Sequence, residues 1–388
     1  MLRRYFFLGS LASIACARSA PAARRKILII LIDGFDPQYL EASDMPNLRR
    51  MGSSGMLKTA SSVIPSVTNV NNASLITGSF PASHGVTANC FYDRAAKQPV
   101  EMENAAFLLK PTLLARARPL GWNTALVAAK DKVVTLCGAG AGITISGEFP
   151  SQEWTNKVGP AQPIYSAQVN FWVFQAANFL LSKTAVDLVY LSTTDYMMHT
   201  YAPDQAQSLE HLHHVDKLLG DIAADNPKLE ILLTADHGMN HKTIGIDVGR
   251  ELARSSIRCQ AISVIQDKHV VHHKGLGGAS YVYLEDIKDL AKARDMLREV
   301  EGVEAVYTAS EAAARFHLRQ EHLGDLVLLG AKEIAFGNLL SPREAINVRS
   351  HGSLHESHVP VMVYNRQVRA DDYQYNLDLT RLINLERI

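Results

Sequence analysis

Short, largely apolar runs that stop abruptly at a charged residue limit the fold of this chain more than any other feature. Lys26-Ile27-Leu28-Ile29-Ile30-Leu31-Ile32 ends in Asp33-Gly34. Val186-Asp187-Leu188-Val189-Tyr190-Leu191-Ser192 leads through two threonines to Asp195, with His199 one helical turn further on. Leu229 to Ala235 ends in Asp236-His237-Gly238, and Trp122 to Ala129 ends in Lys130-Asp131-Lys132. Runs of this length without polar alternation read as strands buried on both faces, the pattern of a parallel sheet. A charged group at the carboxyl end of such a strand lies where doubly wound sheets build their sites. Each has an ordinary reading taken alone: Asp33 as a turn residue, the two lysines as a solvated loop.

The stretch Val63 to Asp93 gives the other constraint. Ala73, Leu75 and Ile76 suggest a short helix, with Gly78 at its C-terminus and Pro81 beyond it. Thr68 then sits at the helix start, where free N–H groups and the helix dipole favour an anion. An ordinary N-cap at Ser66 or Thr68 explains the same residues. Further strands are expected at Gly142 to Phe149 and Val361 to Tyr364, and helices at Met45 to Gly52, Phe171 to Leu181 and Ser208 to Ala223. In the last of these, His211, His213 and His214 are placed on wet or intermediate faces. From about residue 241 to 348 the pattern changes, with strands at Ser280 to Leu284, Val303 to Tyr307 and Leu326 to Leu329, and a helix at Ile287 to Val300. The expected architecture is an α/β doubly wound, mostly parallel sheet with helices on both faces. It comprises a core over 24–240 and 349–388 and a smaller inserted α/β cap over 241–348. His272-His273-Lys274-Gly275 opens the cap, most simply as an exposed loop.

Thirty-nine basic and 39 acidic residues balance, which gives no support for binding a nucleic-acid polymer. Residues 1–23 combine Arg3-Arg4, an apolar run from Tyr5 to Ala17 and small residues to Ala23, the pattern of an export signal of twin-arginine type. That run is too short to span a membrane. A periplasmic or secreted location is expected, with a cytoplasmic chain as the alternative and Cys16 as a weak lipid-attachment candidate. The four cysteines show no metal-knuckle spacing and imply no disulfide framework.

Carboxylates and imidazoles at strand ends count up to two metal sites. Asp33, Asp236, His237 and the Thr68 hydroxyl complete one. Asp195, His199 and one histidine of the cluster Arg349-Ser350-His351-Gly352-Ser353-Leu354-His355 complete the other. Mixed oxygen and nitrogen donors suit two Zn2+, and Mn2+ or Fe fits the same set. Two metals about 4 Å apart form a clamp for in-line displacement at phosphorus.

The order D-G, P-S-x-T-x-x-N at Pro65 to Asn71, D-x-x-x-H, D-H-G and a late H-G resembles the alkaline phosphatase superfamily, in its nucleotide pyrophosphatase/phosphodiesterase branch. The run from Asn71 to Asp93 and the loop A-A-K-D-K resemble the phosphonoacetate hydrolases more closely. That resemblance implies Thr68 as the nucleophile that becomes phospho-threonine. It implies Asp33, Thr68, Asp236 and His237 on one zinc, and Asp195, His199 and His351 on the other, with His355 as the competitor for the last place. Asn89 would bind a phosphoryl oxygen, and Lys130 and Lys132 the carboxylate of a small anionic phosphonate. The implied reaction is hydrolysis of the C–P bond of phosphonoacetate. The alternatives are a phosphodiesterase or phosphomonoesterase of the same superfamily, and a non-catalytic zinc-binding protein of the same fold. A homodimer is compatible with this reading.

Overall fold

The computed structural model describes residues 25–266 and 275–385. Seven strands form the main sheet: β1 (Ile27–Leu31), β2 (Met56–Ser61), β3 (Thr124–Ala128), β4 (Ile143–Ser146), β5 (Leu188–Ser192), β6 (Glu230–Thr234) and β7 (His358–Tyr364). Their order is β2-β7-β6-β1-β5-β3-β4. β1 runs parallel to β5 and β6, β3 runs parallel to β4 and β5, and β7 is antiparallel to both its neighbours. The register sets Leu31 opposite both Ser192 and Thr234. The residues that follow these three strands therefore emerge side by side at one edge of the sheet.

β1 shows why the apolar runs carry no polar alternation. Ile27, Ile29 and Leu31 enter one core, with Val67, Val70 and Ala73 near the start of the helix Thr68–Thr77 and with Val133 and Leu136 of the helix Asp131–Cys137. Leu28, Ile30 and Ile32 enter the other, against the helices Pro46–Ser54, Ala167–Lys183 and Ala206–Asp225. Every residue of β1 is fully buried, and each such side chain contributes roughly 2 kcal/mol of hydrophobic stabilisation. The fold is thus a mostly parallel α/β sheet with helices on both faces, as expected.

Between β6 and β7 lie a four-stranded antiparallel sheet and a three-stranded sheet. The first has the order Cys259–Ser263, Ala279–Leu284, Leu326–Gly330, Val303–Thr308. The second places Asn240–Ile246 between Ile334–Phe336 and Arg343–Ser350. Strands at 240–246, 259–263 and 343–350 were not expected from sequence: their side chains alternate or are half-exposed, so they show no apolar run.

No helix among the described residues is long and apolar enough to cross a membrane. Cys90, Cys137 and Cys259 form no disulfide among the described residues. The proposed export segment, Cys16 and His272-His273-Lys274 lie outside the described residues.

His211 departs from the expectation of a wet face. It is buried at 2% exposure, its ring 5.5 Å from that of Phe171, and neither ring nitrogen has a hydrogen-bond partner among the described residues. Burial, with a smaller contribution from His214, pushes its pKa down to about 4. The free imidazole titrates near 6.5, so the folded state resists a proton that the unfolded chain accepts. The stability this site supports is present above about pH 6.5 and is lost as pH falls toward 4. His211→Leu should therefore gain roughly 2 kcal/mol relative to wild type at pH 5 compared with pH 8. Thermal melts at the two pH values check this: the Tm difference between variant and wild type grows at pH 5.

Candidate active site

The three central strands deliver Asp33, Asp195 and Asp236 to one sheet edge, and all three are buried. Glycine makes the close approach possible. Gly34 has φ +75°, and a Cβ there would lie 3.1 Å from Cβ of Asp195. At Gly238 a Cβ would fall 2.8 Å from the Asp36 side chain. Asp236 Oδ1 accepts hydrogen bonds from the N–H groups of Gly34 and His237, which ties the turns after β1 and β6 together.

Three imidazoles surround these carboxylates, each held the same way. His237 Nδ1 donates to Gly238 O at 3.0 Å, His199 Nδ1 to Arg349 O at 2.7 Å, and His351 Nδ1 to Ser66 O at 2.8 Å. A carbonyl oxygen only accepts, so Nδ1 carries the proton in each ring and Nε2 is turned inward. His237 Nε2 lies 3.4 Å from Asp33 Oδ1 and 3.4 Å from Asp236 Oδ2. His199 Nε2 and His351 Nε2 lie 3.0 and 3.8 Å from Asp195 Oδ2. The His237 and His351 rings stack at 3.5 Å. Burial holds both below the ordinary imidazole range, helped at His351 by its neighbours His237 and His199.

Lone pairs thus face carboxylates, an arrangement that calls for a cation between them. Asp33 Oδ1 and Asp236 Oδ2 are buried without a hydrogen-bond partner among the described residues. Burial, with the charges of Asp195 and Asp236, raises Asp33, and burial raises Asp236 to about 6. Burial also acts to raise Asp195, but Lys130 and His199 beside it hold it well below its ordinary value. The Lys130 ammonium lies 2.6 Å from Asp33 Oδ2 and 2.7 Å from Asp195 Oδ1. Burial opposes its charge, yet Asp195 and Asp33 outweigh that and raise its pKa. Three carboxylates against one ammonium leave an excess of negative charge in a dry site. Two donor groups, Asp33–Asp236–His237 and Asp195–His237–His351, each bring one ligand atom per residue within 4.8 Å of the others. The donor set fits divalent metal ions.

Thr68 is the first residue of its helix, with Val67 at the N-cap position in place of a capping side chain. The threonine hydroxyl is buried 3.4 Å from His237 Nε2 and borders a cleft of about 450 Å³. Asn89, Lys130, Lys132, Asp195 and His351 line the same cleft. Asn89 Oδ1 accepts from Asn69 N–H, which leaves the NH2 side of the amide for an anion. All ten residues singled out in the sequence therefore gather at this edge of the sheet. His355 does not: its ring pairs with Glu304 at 2.6 Å and is part-exposed.

Sequence reasoning missed the groups that hold these side chains. Asp36 caps the helix Pro37–Ala42 with one oxygen and accepts Met239 N–H with the other. Arg349 donates to Met198 O and to Tyr39 Oη while its own carbonyl orients His199. Ser66 receives His351 and Gly352 N–H. Asp36 lies within D-G-F-D and Arg349 two residues before His351, so proximity to the motifs was the only available signal. The same cleft is also lined by Glu101, Glu103, Glu148, Phe149 and Tyr165.

The family described as type I phosphodiesterase / nucleotide pyrophosphatase matches residues 27–354. The chain is 25% identical over 385 residues to bis(5'-adenosyl)-triphosphatase enpp4 of Xenopus laevis, covering 92% of this chain and 76% of that one. It is 25% identical over 228 residues to the venom phosphodiesterase of Naja atra, where 55% of this chain meets 26% of that one. The structure of phosphonoacetate hydrolase from Sinorhizobium meliloti 1021 in complex with phosphonoacetate superposes with a TM-score of 0.84 at 32% identity, over 92% of this chain and 94% of that one. Human ectonucleotide pyrophosphatase / phosphodiesterase 5 shares the fold, with a TM-score of 0.67 at 17% identity over 92% of this chain and 93% of that one. With its fold and donor cluster, this chain belongs to the type I phosphodiesterase / nucleotide pyrophosphatase family, a group of metal-dependent enzymes in the phosphodiesterase and phosphatase superfamily.

Proposed function

We propose that this enzyme hydrolyses the carbon–phosphorus bond of phosphonoacetate to acetate and phosphate. The observation that carries the reading is the placing of Thr68, Lys130 and Lys132 around one cleft, in a chain 32% identical to a structure bound to phosphonoacetate. Asp33, Thr68, Asp236 and His237 would hold one Zn2+, and Asp195, His199 and His351 the other. When bound, such ions neutralise phosphoryl charge and acidify a hydroxyl or water. They also satisfy the carboxylates that engage the Lys130 ammonium, which leaves that charge to the substrate.

Thr68 gives up its hydroxyl proton to solvent, and Oγ1 attacks phosphorus as the P–C bond breaks. The bonding pair moves to the methylene carbon and is delocalised into the adjacent carboxylate. Lys130 and Lys132 beside that carboxylate stabilise the enolate-like charge more than they stabilise the substrate, which lowers the barrier. A solvent proton completes acetate, and water then attacks phosphorus to release phosphate and restore Thr68. The Asn89 NH2 group holds a phosphoryl oxygen throughout. An exported enzyme meets such a substrate outside the cytoplasm.

A second reading, phosphodiester cleavage, draws on the outer cleft. Phe149 is 68% exposed and Tyr165 36%, two aromatic faces at the mouth on which an aryl or nucleoside group would stack. Zinc-loaded protein incubated with phosphonoacetate and with an aryl phosphodiester separates the two readings. Phosphate and acetate in equal amounts support C–P hydrolysis. Aryl alcohol without acetate moves the enzyme to the diesterases.

Thr68→Ala should lower turnover of either substrate by roughly 10³-fold or more while zinc stays bound; substantial residual turnover rules out the covalent mechanism. Lys130→Ala or Lys132→Ala should reduce phosphonoacetate cleavage about ten- to a hundredfold, the loss of one charge-assisted contact, and spare an uncharged ester. Equal losses on both would remove the carboxylate clamp. Metal content gives an independent check. Asp236→Asn relieves carboxylate repulsion, so it should raise the Tm of chelator-treated protein. With zinc at a hundredfold excess over Kd, wild type should gain about 2.7 kcal/mol per ion and become the more stable of the two. Melts with and without zinc should therefore cross over.

A further inference from the structure

One buried ion pair takes no part in the chemistry described above. Lys242, on the strand Asn240–Ile246, and Glu356, at the end of the short turn Leu354–Glu356, have fully buried side chains. Lys242 Nζ donates to Glu356 Oε1 at 2.7 Å and to Lys332 O at 2.8 Å. A pair buried this deeply gains little over apolar residues of the same volume, because two charges must leave water. What apolar residues cannot supply is directed acceptors, and Glu356 uses every one it has. Oε1 also accepts from Asn240 Nδ2 at 2.7 Å. Oε2 accepts from Ser353 N at 3.0 Å and Ser353 Oγ at 2.8 Å. The Glu356 main-chain oxygen accepts from Gly238 N at 2.7 Å.

These bonds reach three separate segments that carry the site. Gly238 follows His237 and its carbonyl fixes that ring. Ser353 O accepts from Ser66 Oγ at 2.7 Å, Ser66 Oγ accepts from Gly352 N–H, and Ser66 O fixes the ring of His351. Ser66 lies two residues before Thr68. The Glu356 carboxylate thus sits behind the turn that carries His351 and, through Ser353 and Ser66, behind the loop that leads to Thr68, while the bond to the His237 turn is made by its main-chain oxygen. Gly278 packs directly against this turn, where an added Cβ would fall 2.8 Å from Ser353 and 3.3 Å from the Glu356 carboxylate.

We propose that Glu356, its charge held by Lys242, is a positioning residue that sets the metal-binding orientation of His351. The inference rests on the reading that this site holds metal ions. It does not depend on which phosphorus substrate is cleaved.

The test measures zinc affinity by competition with a chromophoric chelator, alongside melts of the chelator-treated protein. Glu356→Gln should weaken the binding of at least one of the two ions about tenfold or more, the usual range for partners that orient ligands. It should also lower the metal-free Tm, because Lys242 is left buried without its counter-charge. The double variant Lys242→Met/Glu356→Leu removes both charges and should recover part of the metal-free Tm, the Ser353 and Asn240 donors being left unpaired, without recovering zinc affinity. A purely structural pair would recover both together, and wild-type affinity in the folded double variant overturns the proposal. Should the double variant not fold, Ser353→Ala removes a single contact to Glu356 and reads the same quantity. A severalfold loss of zinc affinity supports the proposal, and unchanged affinity overturns it. Wild type that binds no zinc overturns the metal reading and this inference with it. Wild type that binds zinc normally yet leaves phosphonoacetate intact removes the substrate assignment alone.

Discussion

Three carboxylates brought together at the end of a dry sheet are the constraint on which the rest of this structure depends. Asp33, Asp195 and Asp236 follow three adjacent strands whose side chains are wholly buried, so little water reaches them. Leaving such charges uncompensated costs several kcal/mol each. One ammonium, Lys130, offsets part of that charge. The remainder is a standing demand for cations, and it explains why the turns here are so tightly specified. Gly34 lets its turn pass Asp195, and Asp236 spends one oxygen on the backbone so that the other stays available.

The imidazoles answer that demand only because their tautomers are fixed from behind. Three carbonyls do this, from Gly238, Arg349 and Ser66, and they belong to segments far apart in sequence. The site is therefore not a product of the parallel sheet alone. The antiparallel strand Arg343–Ser350 brings Arg349 and then His351 to the sheet edge, and the residues that lock it there are polar and buried. A sheet of this type would place carboxylates at its edge in any case. Turning Nε2 of each ring toward them needs the segments that lie between β6 and β7.

This division also decides what could be read in the sequence. The central strands were legible because burial on both faces removes polar alternation, and the residue after each run is then conspicuous. Thr68 was legible because Gly78 marks the far end of its helix. Met56–Ser61, Asn240–Ile246 and Arg343–Ser350 were not, since half-exposed strands mix charged and apolar residues without a run. His211 looked like one of three surface histidines, and only the packing of Phe171 over it reveals otherwise. The resemblance favoured His351 over His355 from sequence, whereas the bond of His351 to Ser66 O, 285 residues away, was not legible there. Asp36 and Glu356 read from sequence only as local caps, in Asp36-Pro37 and Ser353-x-x-Glu356, and the distant partners that tie them and Ser66 to the site gave no signal there.

Substrate choice turns on the outer half of the cleft, because the phosphoryl end is common to C–P and P–O cleavage. The two reactions differ in where charge develops as the bond breaks. A carbon leaving group needs positive charge at the carboxylate that receives the electron pair, and Lys130 and Lys132 line the same cleft as Thr68. An ester leaving group already carries its charge on oxygen and gains more from apolar contact, which Phe149 and Tyr165 offer further out. Glu101, Glu103, Asp131 and Glu148 also line the cleft, and they repel any leaving group that carries several negative charges. That repulsion weighs against long polyphosphate chains in either reading. It falls least on a small substrate whose one carboxylate is met by the two lysines. Under the proposed phosphonoacetate reading, the acidic lining and the lysine pair would together limit how far anionic charge can extend from phosphorus.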